Sequence, residues 1–360
     1  AISVTVNDGG DTDQIISAAD LLTLNSRTTG LITVSVTTIT GSVADLKTAF
    51  AANDATATAT TQITGLEADT VTVTYPTGAD TSISATDLNI LDDATTGLVT
   101  FTNATSLTGV GALDDNNASA VRTALTSMGA VSPGVAWGSG DAASDVPVTL
   151  TGNVSVADAN IIAGLTGGAV TATITEGDMA TLANIAETGH AYTVTVTDAT
   201  AAAGALNTLN GKTTVALNLS AVTTITGAED AIRTLYAANN AGTPTVTGLG
   251  NEAITCSGDS GGAALTVDEI NVLGGLTTGT ITASIAQGTI AELDAIQETG
   301  HVLALDVSDA TVDAATLNNL RAKTTGAVAV RATTINGSLS DIAKIYAAQT
   351  AGTVSELGAE

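Results

Sequence analysis

Glu187-Thr188-Gly189-His190 returns letter for letter as Glu298-Thr299-Gly300-His301, 111 residues further on. The same offset carries Asn160 to Asn271, Gly168 to Gly279, Ile174 to Ile285, Asn207 to Asn318 and Lys212 to Lys323. One residue less links Leu235-Tyr236-Ala237-Ala238 to Ile345-Tyr346-Ala347-Ala348, so residues 153–242 and 264–352 are two copies of one long unit. The N-terminal part holds a third copy. Arg27-Thr28-Thr29 answers Lys212-Thr213-Thr214, Thr38-Ile39-Thr40-Gly41 answers Thr224-Ile225-Thr226-Gly227, and Asn89 and Gly97 answer Asn271 and Gly279. Self-similarity of this kind marks stacked units, none of which buries its apolar face alone.

Each long unit divides again. A turn ending in glycine recurs at Gly168, Gly189, Gly279, Gly300 and Gly326, with spacings of 21 and 26 residues and one longer lap of about 37 per unit. After the glycine comes a run of period two, such as Leu31-Ile32-Thr33-Val34-Ser35-Val36 or Thr193-Val194-Thr195-Val196-Thr197, which reads as a strand. A polar turn and a short helix follow. Ile290, Leu293 and Ile296 share a helical face, as do Met179, Leu182 and Ile185, and Val43, Leu46 and Phe50. Ser308 and Asp309 suit an N-cap, and the closing glycine suits a left-handed position after the helix. The expected fold is α/β: one elongated solenoid over 1–360, built from strand–turn–helix laps of about 21–37 residues with a parallel sheet on one wall. The shape is leucine-rich-repeat-like, without that consensus. Residues 1–110 form a first repeat block, 111–152 a divergent segment, 153–263 a second block and 264–360 a third, cut in phase. The divergent segment, with Trp137, Pro133, Pro147 and Asp141, is a degenerate lap or an excursion on one face.

Asn89, Asn160, Asn271 and Asn318 stand eight residues before a turn glycine, and Asn207 holds the matching place before Val215. Equal positions stack along a solenoid, so these side chains are expected to bond the backbone of an adjacent lap. Aromatics make up 2% of the chain against 44% apolar residues, so the core must be thin and aliphatic. There are 67 threonines. In Thr33, Ser35 and Thr37, Thr171, Thr173 and Thr175, or Thr280, Thr282 and Ser284, hydroxyls alternate with apolar residues and should face water. Such an array resembles an ice-binding face, but Ala304, Asp306 and Arg331 break its regularity, and strand propensity accounts for it.

With 36 acids against 9 bases the net charge is −27, which argues against nucleic acid and against an anionic membrane surface. No apolar run approaches a membrane span. Cys256 is the single cysteine, so no disulfide forms within the chain. The sequence opens at Ala1 without a leader and reads as a processed or excised segment. Cys256-Ser257-Gly258-Asp259-Ser260-Gly261-Gly262 resembles the nucleophile segment of chymotrypsin-like serine proteases, in which that serine is activated by a histidine and an aspartate. The supporting parts are missing. His190 and His301 are repeat-equivalent residues after a turn glycine, so Ser260 reads as a loop residue and the chain as a non-enzyme. Asp198, Asp309, Asp158, Asp268 and Asp87 read as helix-capping groups. Asn7-Asp8-Gly9-Gly10-Asp11-Thr12-Asp13 places oxygen ligands at alternate positions, as calcium loops do, without the EF-hand's closing glutamate. Asp8, Asp11 and Asp13 are the candidate calcium ligands. The competing reading is a solvated turn ahead of a helix near Ile15.

Ile174-Thr175-Glu176-Gly177-Asp178-Met179-Ala180-Thr181-Leu182, Tyr192-Thr193-Val194-Thr195-Val196-Thr197-Asp198 and Leu206-Asn207-Thr208-Leu209 resemble the very large repetitive cell-surface proteins of marine cyanobacteria. That resemblance covers most of 1–110 and 153–360 and implies a secreted, structural role. A shorter one, Ala118-Ser119-Ala120-Val121-Arg122-Thr123-Ala124-Leu125, is similar to segments of phage tail fibres. The expected function is an extracellular filament, cell-surface fibre or adhesin. Its expected partners are copies of itself end to end and a surface glycan or receptor, with no nucleic acid and no membrane insertion. The alternative is a phage or virion appendage that binds a host receptor.

Overall fold

The computed structural model describes residues 2–7, 14–53, 62–74, 81–112, 119–128, 135–137 and 145–357. In chain order the elements begin β1 (Val4–Asn7), β2 (Ile15–Ser17), α1 (Ala18–Arg27), β3 (Ile32–Ser35), β4 (Thr38–Gly41), α2 (Val43–Ala51), β5 (Ile63–Thr64), β6 (Thr70–Val73), β7 (Ser82–Ser84), α3 (Ala85–Ala94), β8 (Val99–Phe101), β9 (Ser106–Val110), α4 (Ala120–Met128), β10 (Val135–Trp137), β11 (Val148–Val154), α5 (Val156–Ala163) and β12 (Val170–Ile174). They continue α6 (Met179–Leu182), β13 (Ala191–Thr193), β14 (Thr200–Ala202), α7 (Ala203–Asn210), β15 (Leu217–Asn218), β16 (Thr224–Gly227), α8 (Glu229–Asn239), β17 (Val246–Thr247), β18 (Ala253–Cys256), α9 (Val267–Gly274), β19 (Ile281–Ser284), α10 (Ile290–Leu293), β20 (Val302–Val307), β21 (Thr311–Asp313), α11 (Ala314–Ala322), β22 (Val328–Val330), β23 (Thr334–Asn336), α12 (Leu339–Thr350) and β24 (Val354–Ser355). The chain is α/β, and every pairing between these strands is parallel.

The chain divides into two compact units, one of residues 1–175 with 185–193, the other of 176–184 with 194–360. In the first unit the sheets run β1-β3-β5, β10-β8-β6-β4-β2 and β13-β12-β11-β9-β7. In the second they run β14-β16-β18-β19-β20-β22-β24, β15-β17 and β21-β23. The duplication survives in this topology. Ile39 pairs with Val71 and Val71 with Val99 in one unit; Ile225 pairs with Ile254 and Ile254 with Ile281 in the other. In both, the long lap hands a row of strands that precede helices over to a row that follows turns.

Alternation in the strands sorts residues as expected. Ile32 and Val34 are buried, Thr33 and Ser35 exposed; Ile281 and Ala283 are buried, Thr282 and Ser284 exposed. Each helix turns a stripe of aliphatics inward, such as Leu88 and Leu91 or Leu317 and Leu320, all with no exposure. Burying each Leu, Ile or Val contributes about 1.5–3 kcal/mol, repeated lap after lap. Residues 111–152 belong to the same scheme where they are described. Val121, Ala124, Leu125 and Met128 of α4 face inward, β10 pairs with β8, and Trp137 lies 6.4 Å from Phe101, centroid to centroid. The described part of the segment thus adds buried side chains to the first unit, with an aromatic pair between β8 and β10.

Three details differ from the sequence reading. The polar turn before a helix is partly a second strand: β2, β7, β14 and β21 run directly into a helix, and β4, β16 and β23 reach one after one or two residues. Ile39, Ile83, Ile225 and Val312 are single buried residues between hydroxyl or carboxylate neighbours, too short a run for periodicity to mark. Ile15 accordingly begins β2, and α1 starts at Ala18 behind the N-cap Ser17. Ser308 and Asp309 do not cap the helix that follows them. Asp313 does, accepting from the Thr316 amide, and Asp309 instead accepts from the Ile290 amide at the start of α10, 19 residues earlier. Asp198 does the same for Met179 at the start of α6. Each of these four-residue helices borrows an acceptor for an otherwise unpaired N–H from the lap behind it.

The turn glycines are of two kinds. Gly189 and Gly300 have φ of 85° and 83°, the left-handed conformation expected. At Gly30, Gly97, Gly168, Gly279 and Gly326 the reason is space. A Cβ would stand 2.0 to 2.3 Å from a backbone carbonyl oxygen of the preceding lap, that of Ile2, Asp69, Val146, Glu252 or Leu303. Gly279→Ala is therefore expected to cost more than about 3 kcal/mol, because two backbones must part. Gly300→Ala meets open space and is expected to cost about 1–2 kcal/mol through its φ alone. Urea denaturation of the two variants checks the order; equal losses would contradict the close-approach account.

Candidate functional site

The chemistry concentrated in this chain lies on the lines where one lap meets the next. Five times, a threonine two residues before a turn glycine accepts from that glycine's N–H: Thr28, Thr95, Thr166, Thr277 and Thr324, at 2.9 to 3.0 Å. Each also donates its hydroxyl to the preceding lap, to the carbonyl of Ile2, Asp69, Val146, Glu252 or Leu303, at 2.6 to 3.1 Å. These are the same five carbonyls that exclude a Cβ from the glycines. The glycine lets the backbones approach and the threonine bonds them.

The asparagines form the second line, as expected. The side-chain amide of Asn89 donates to the Ala120 carbonyl, Asn207 to Ala231, Asn271 to Ala295 and Asn318 to Asp341, at 2.9 to 3.1 Å. Asn160 and Asn271 also accept from the Ala186 and Gln297 amides. The histidines form the third. Nδ1 of His190 accepts from the Val170 N–H at 3.1 Å, and Nδ1 of His301 from the Ile281 N–H at 3.2 Å. Burial pushes both imidazoles below the ordinary histidine pKa, against the pull of Glu187 and Glu298. The neutral ring is the form that can accept at Nδ1.

None of this brings together the parts of a protease. Ser260 is exposed on a turn that Asp259 organises by accepting from the Gly261 and Ala263 amides, both at 2.8 Å. Cys256 is buried in β18, its thiol pushed up by burial. Asp87 is in an ion pair with Lys47, Asp158 stands in the first turn of α5 behind the N-cap Ser155, and Asp268 in the first turn of α9. Asp8, Asp11 and Asp13 lie outside the described residues; among the described residues no three His, Cys, Asp or Glu side chains are grouped to hold a metal ion. Among the same residues no helix is long and apolar enough to cross a membrane. Shallow grooves run between successive helices, one lined by Thr266, Asp268, Gln287 and Glu292.

On the outer strand faces, threonines line up across laps. Thr5, Thr33 and Thr64 are in register, as are Thr40, Thr72 and Thr100, Thr108, Thr149 and Thr171, and Thr226, Thr255 and Thr282. In the second unit the row across β20, β22 and β24 is ionic. Arg331 bridges Asp306 at 3.0 Å and Glu356 at 3.1 Å.

Periodicity gave no sign of the buried acids in the long laps. Glu252 accepts from the Tyr236 hydroxyl and the Gly250 amide, both at 2.8 Å. Its counterpart in the first unit is Asp69, and Tyr236 is there replaced by Phe50. Asp69 is 5% exposed, and its Oδ2 has no hydrogen-bond partner. Burial, with the nearby Glu67 charge, lifts its pKa from 3.8 to about 6. The signal available in the sequence was an acid before an alternating run in an otherwise apolar position, weak against 36 acids in all. Comparison with protein-family models, with curated proteins and with solved structures gave no match.

Asp69 thus holds its proton more tightly folded than unfolded. Its contribution to stability is fully present below pH 4 and is lost as pH rises through about 6. Asp69→Asn, uncharged at every pH, is expected to be more stable than the wild type at pH 8 by about 1–3 kcal/mol, with the gain vanishing near pH 4. Melting curves across that range check the sign; a gain independent of pH would contradict it.

Proposed function

We propose that the protein is a non-enzymatic structural protein, an extracellular filament, cell-surface fibre or adhesin. We read its laps, within each unit, as coils of a leucine-rich-repeat-like α/β solenoid. What supports this best is the threonine–glycine staple repeated five times with one geometry. A catalytic centre needs unlike groups converging at one place. Here hydroxyls, amides and imidazoles are used singly, lap by lap, on backbone groups. Repetition along a row favours extended contact over a single deep pocket.

The partners we propose are further copies of the chain, end to end, and a surface glycan or receptor against the threonine rows. The phrases that resemble cyanobacterial cell-surface proteins, at 174–182, 192–198 and 206–209, fall on or beside β12, α6, β13 and α7, which agrees with this reading. The alternative we keep is a phage or virion appendage that binds a host receptor, which rests on the tail-fibre-like segment around α4. Antibodies against the chain are expected to label fibres in a cell-surface shear fraction of its native source. Label confined to purified virions would overturn the reading in favour of the appendage.

A further inference from the structure

Two side chains of the third block depart from the repeat and meet in one place. At the position of Arg321 in α11 the first and second blocks have Asn25 and Asn210; at the position of Lys344 in α12 they have Thr48 and Thr234. Thr48 and Thr234 donate to carbonyls of their own helices, those of Ala44 and Asp230, and Asn210 donates to the Thr245 hydroxyl. Both replacements are bases, in a chain with 9 bases to 36 acids, and both line one shallow groove of about 510 Å³ between α11 and α12. Asn318, Ala322, Ala347 and Ala348 complete its lining, which includes no acid. The groove between α8 and α9 has both Asp230 and Arg233, and the groove between α9 and α10 has Asp268 and Glu292.

Neutral groups hold the guanidinium in place. Asn318, whose amide makes the repeat's bond to the Asp341 carbonyl, accepts from Nη1 of Arg321 at 3.0 Å. The Thr353 hydroxyl, which donates to the Ala348 carbonyl, accepts from Nη2 at 3.5 Å. Nε is buried without a hydrogen-bond partner. Lys47, Arg233, Lys323, Arg331 and Lys344 each reach a carboxylate; Arg321 reaches none among the described residues. The helix dipole does not account for the exchange, because α7 ends on Asn210 with no base in its last turn. Nor does it account for Lys344, in the middle of α12. The exposed pair of Lys344 with Asp341, at 2.9 Å, contributes little and leaves ammonium donors to spare.

A positioned guanidinium and a mobile ammonium across a groove without acids match the planar oxygens of a carboxylate. Between them Ala322, Ala347 and Ala348 offer only methyl groups, which leaves room for the flat C–H face of a sugar ring. Resting on the glycan-partner reading above, we propose that the groove between α11 and α12 binds a uronate unit of an acidic glycan. The carboxylate lies on Arg321 and Lys344 and the ring over the alanines, so this contact is made between helices and not along the threonine rows. An acidic segment of a second copy offers the same carboxylates but brings a further −27 of charge with it. A sugar chain with one charge per ring meets a weaker repulsion, which favours the glycan.

In titration calorimetry at about 0.05 M NaCl, hexagalacturonate is expected to bind the chain, and uncharged maltohexaose is not. Arg321→Asn and Lys344→Thr restore the residues of the second block, where the same lap packs with them. Each is expected to weaken hexagalacturonate binding at least about tenfold with the melting temperature unchanged. Arg331→Gln, a base lost outside the groove, is expected to leave the binding as it is. Binding insensitive to both groove substitutions, or no binding at millimolar hexagalacturonate, would overturn the site. Hexaglutamate bound as tightly, with the same sensitivity, would overturn the sugar in favour of an acidic protein partner. Each of these results leaves the fibre reading to the shear-fraction labelling, and label on virions would leave the groove standing.

Discussion

The backbone carbonyl at the entrance of each lap is the constraint on which the rest depends. In five laps it sits so close to the turn behind it that no side chain fits at that turn, and the threonine two residues earlier satisfies it. A buried carbonyl left without a donor costs about 1–3 kcal/mol, so a lap edge with several of them could not be dry unless each were bonded. The threonine does this twice over, because its oxygen also takes the turn's own N–H. With the carbonyl and the amide both spent, the two backbones lie in direct contact, and side chains of modest size are enough to fill what remains.

That closeness explains the composition. A lap pressed against its neighbours has little interior of its own, and Ala, Val, Leu and Ile fill it without polar atoms to satisfy. The few buried rings are Tyr192 in β13, Tyr236 in the long lap of the second unit, Phe50 at its counterpart, and Phe101 of β8 against Trp137 of the divergent segment. Tyr236 brings a hydroxyl into the core and with it Glu252, which accepts from it. Phe50 brings none, and the shorter acid opposite, Asp69, is left with an unpartnered oxygen. The two long laps are thus alternative solutions of one packing problem, one polar and closed, the other apolar with a proton held on the acid.

The repeat, the strand and helix of each lap, and the bonding of the asparagines to the next lap were all legible in the sequence, because each rests on periodicity. The staple was not. The glycines were legible as turn residues, but sequence alone does not separate a glycine chosen for φ from one chosen for want of space. Gly189 and Gly279 both close a Thr-Gly turn, and only their neighbours in space tell them apart. The signal that would have helped is the threonine two before the second kind, in Thr277-Thr278-Gly279 against Glu187-Thr188-Gly189. Where the staple's threonine is missing, at Glu187 and Glu298, a histidine three residues later takes an amide of the preceding lap instead. Asp198 and Asp309 were legible as helix-terminus groups but not as belonging to the previous lap's helix, since capping rules see only the chain that follows.

The same reasoning bears on the charge. Thirty-six carboxylates on a chain with nine bases repel one another and oppose compaction. Many here are anchored at helix starts. Asp178 and Asp313 each accept from an amide in the first turn of the helix they cap, and Glu292, inside α10, accepts from the N–H and hydroxyl of the N-cap Thr289, which holds all three carboxyls below the usual range. An array that distributes its negative charge over helix starts, one or two per lap, gains local stability from each. It keeps a long-range field that only screening or a close-fitting partner overcomes.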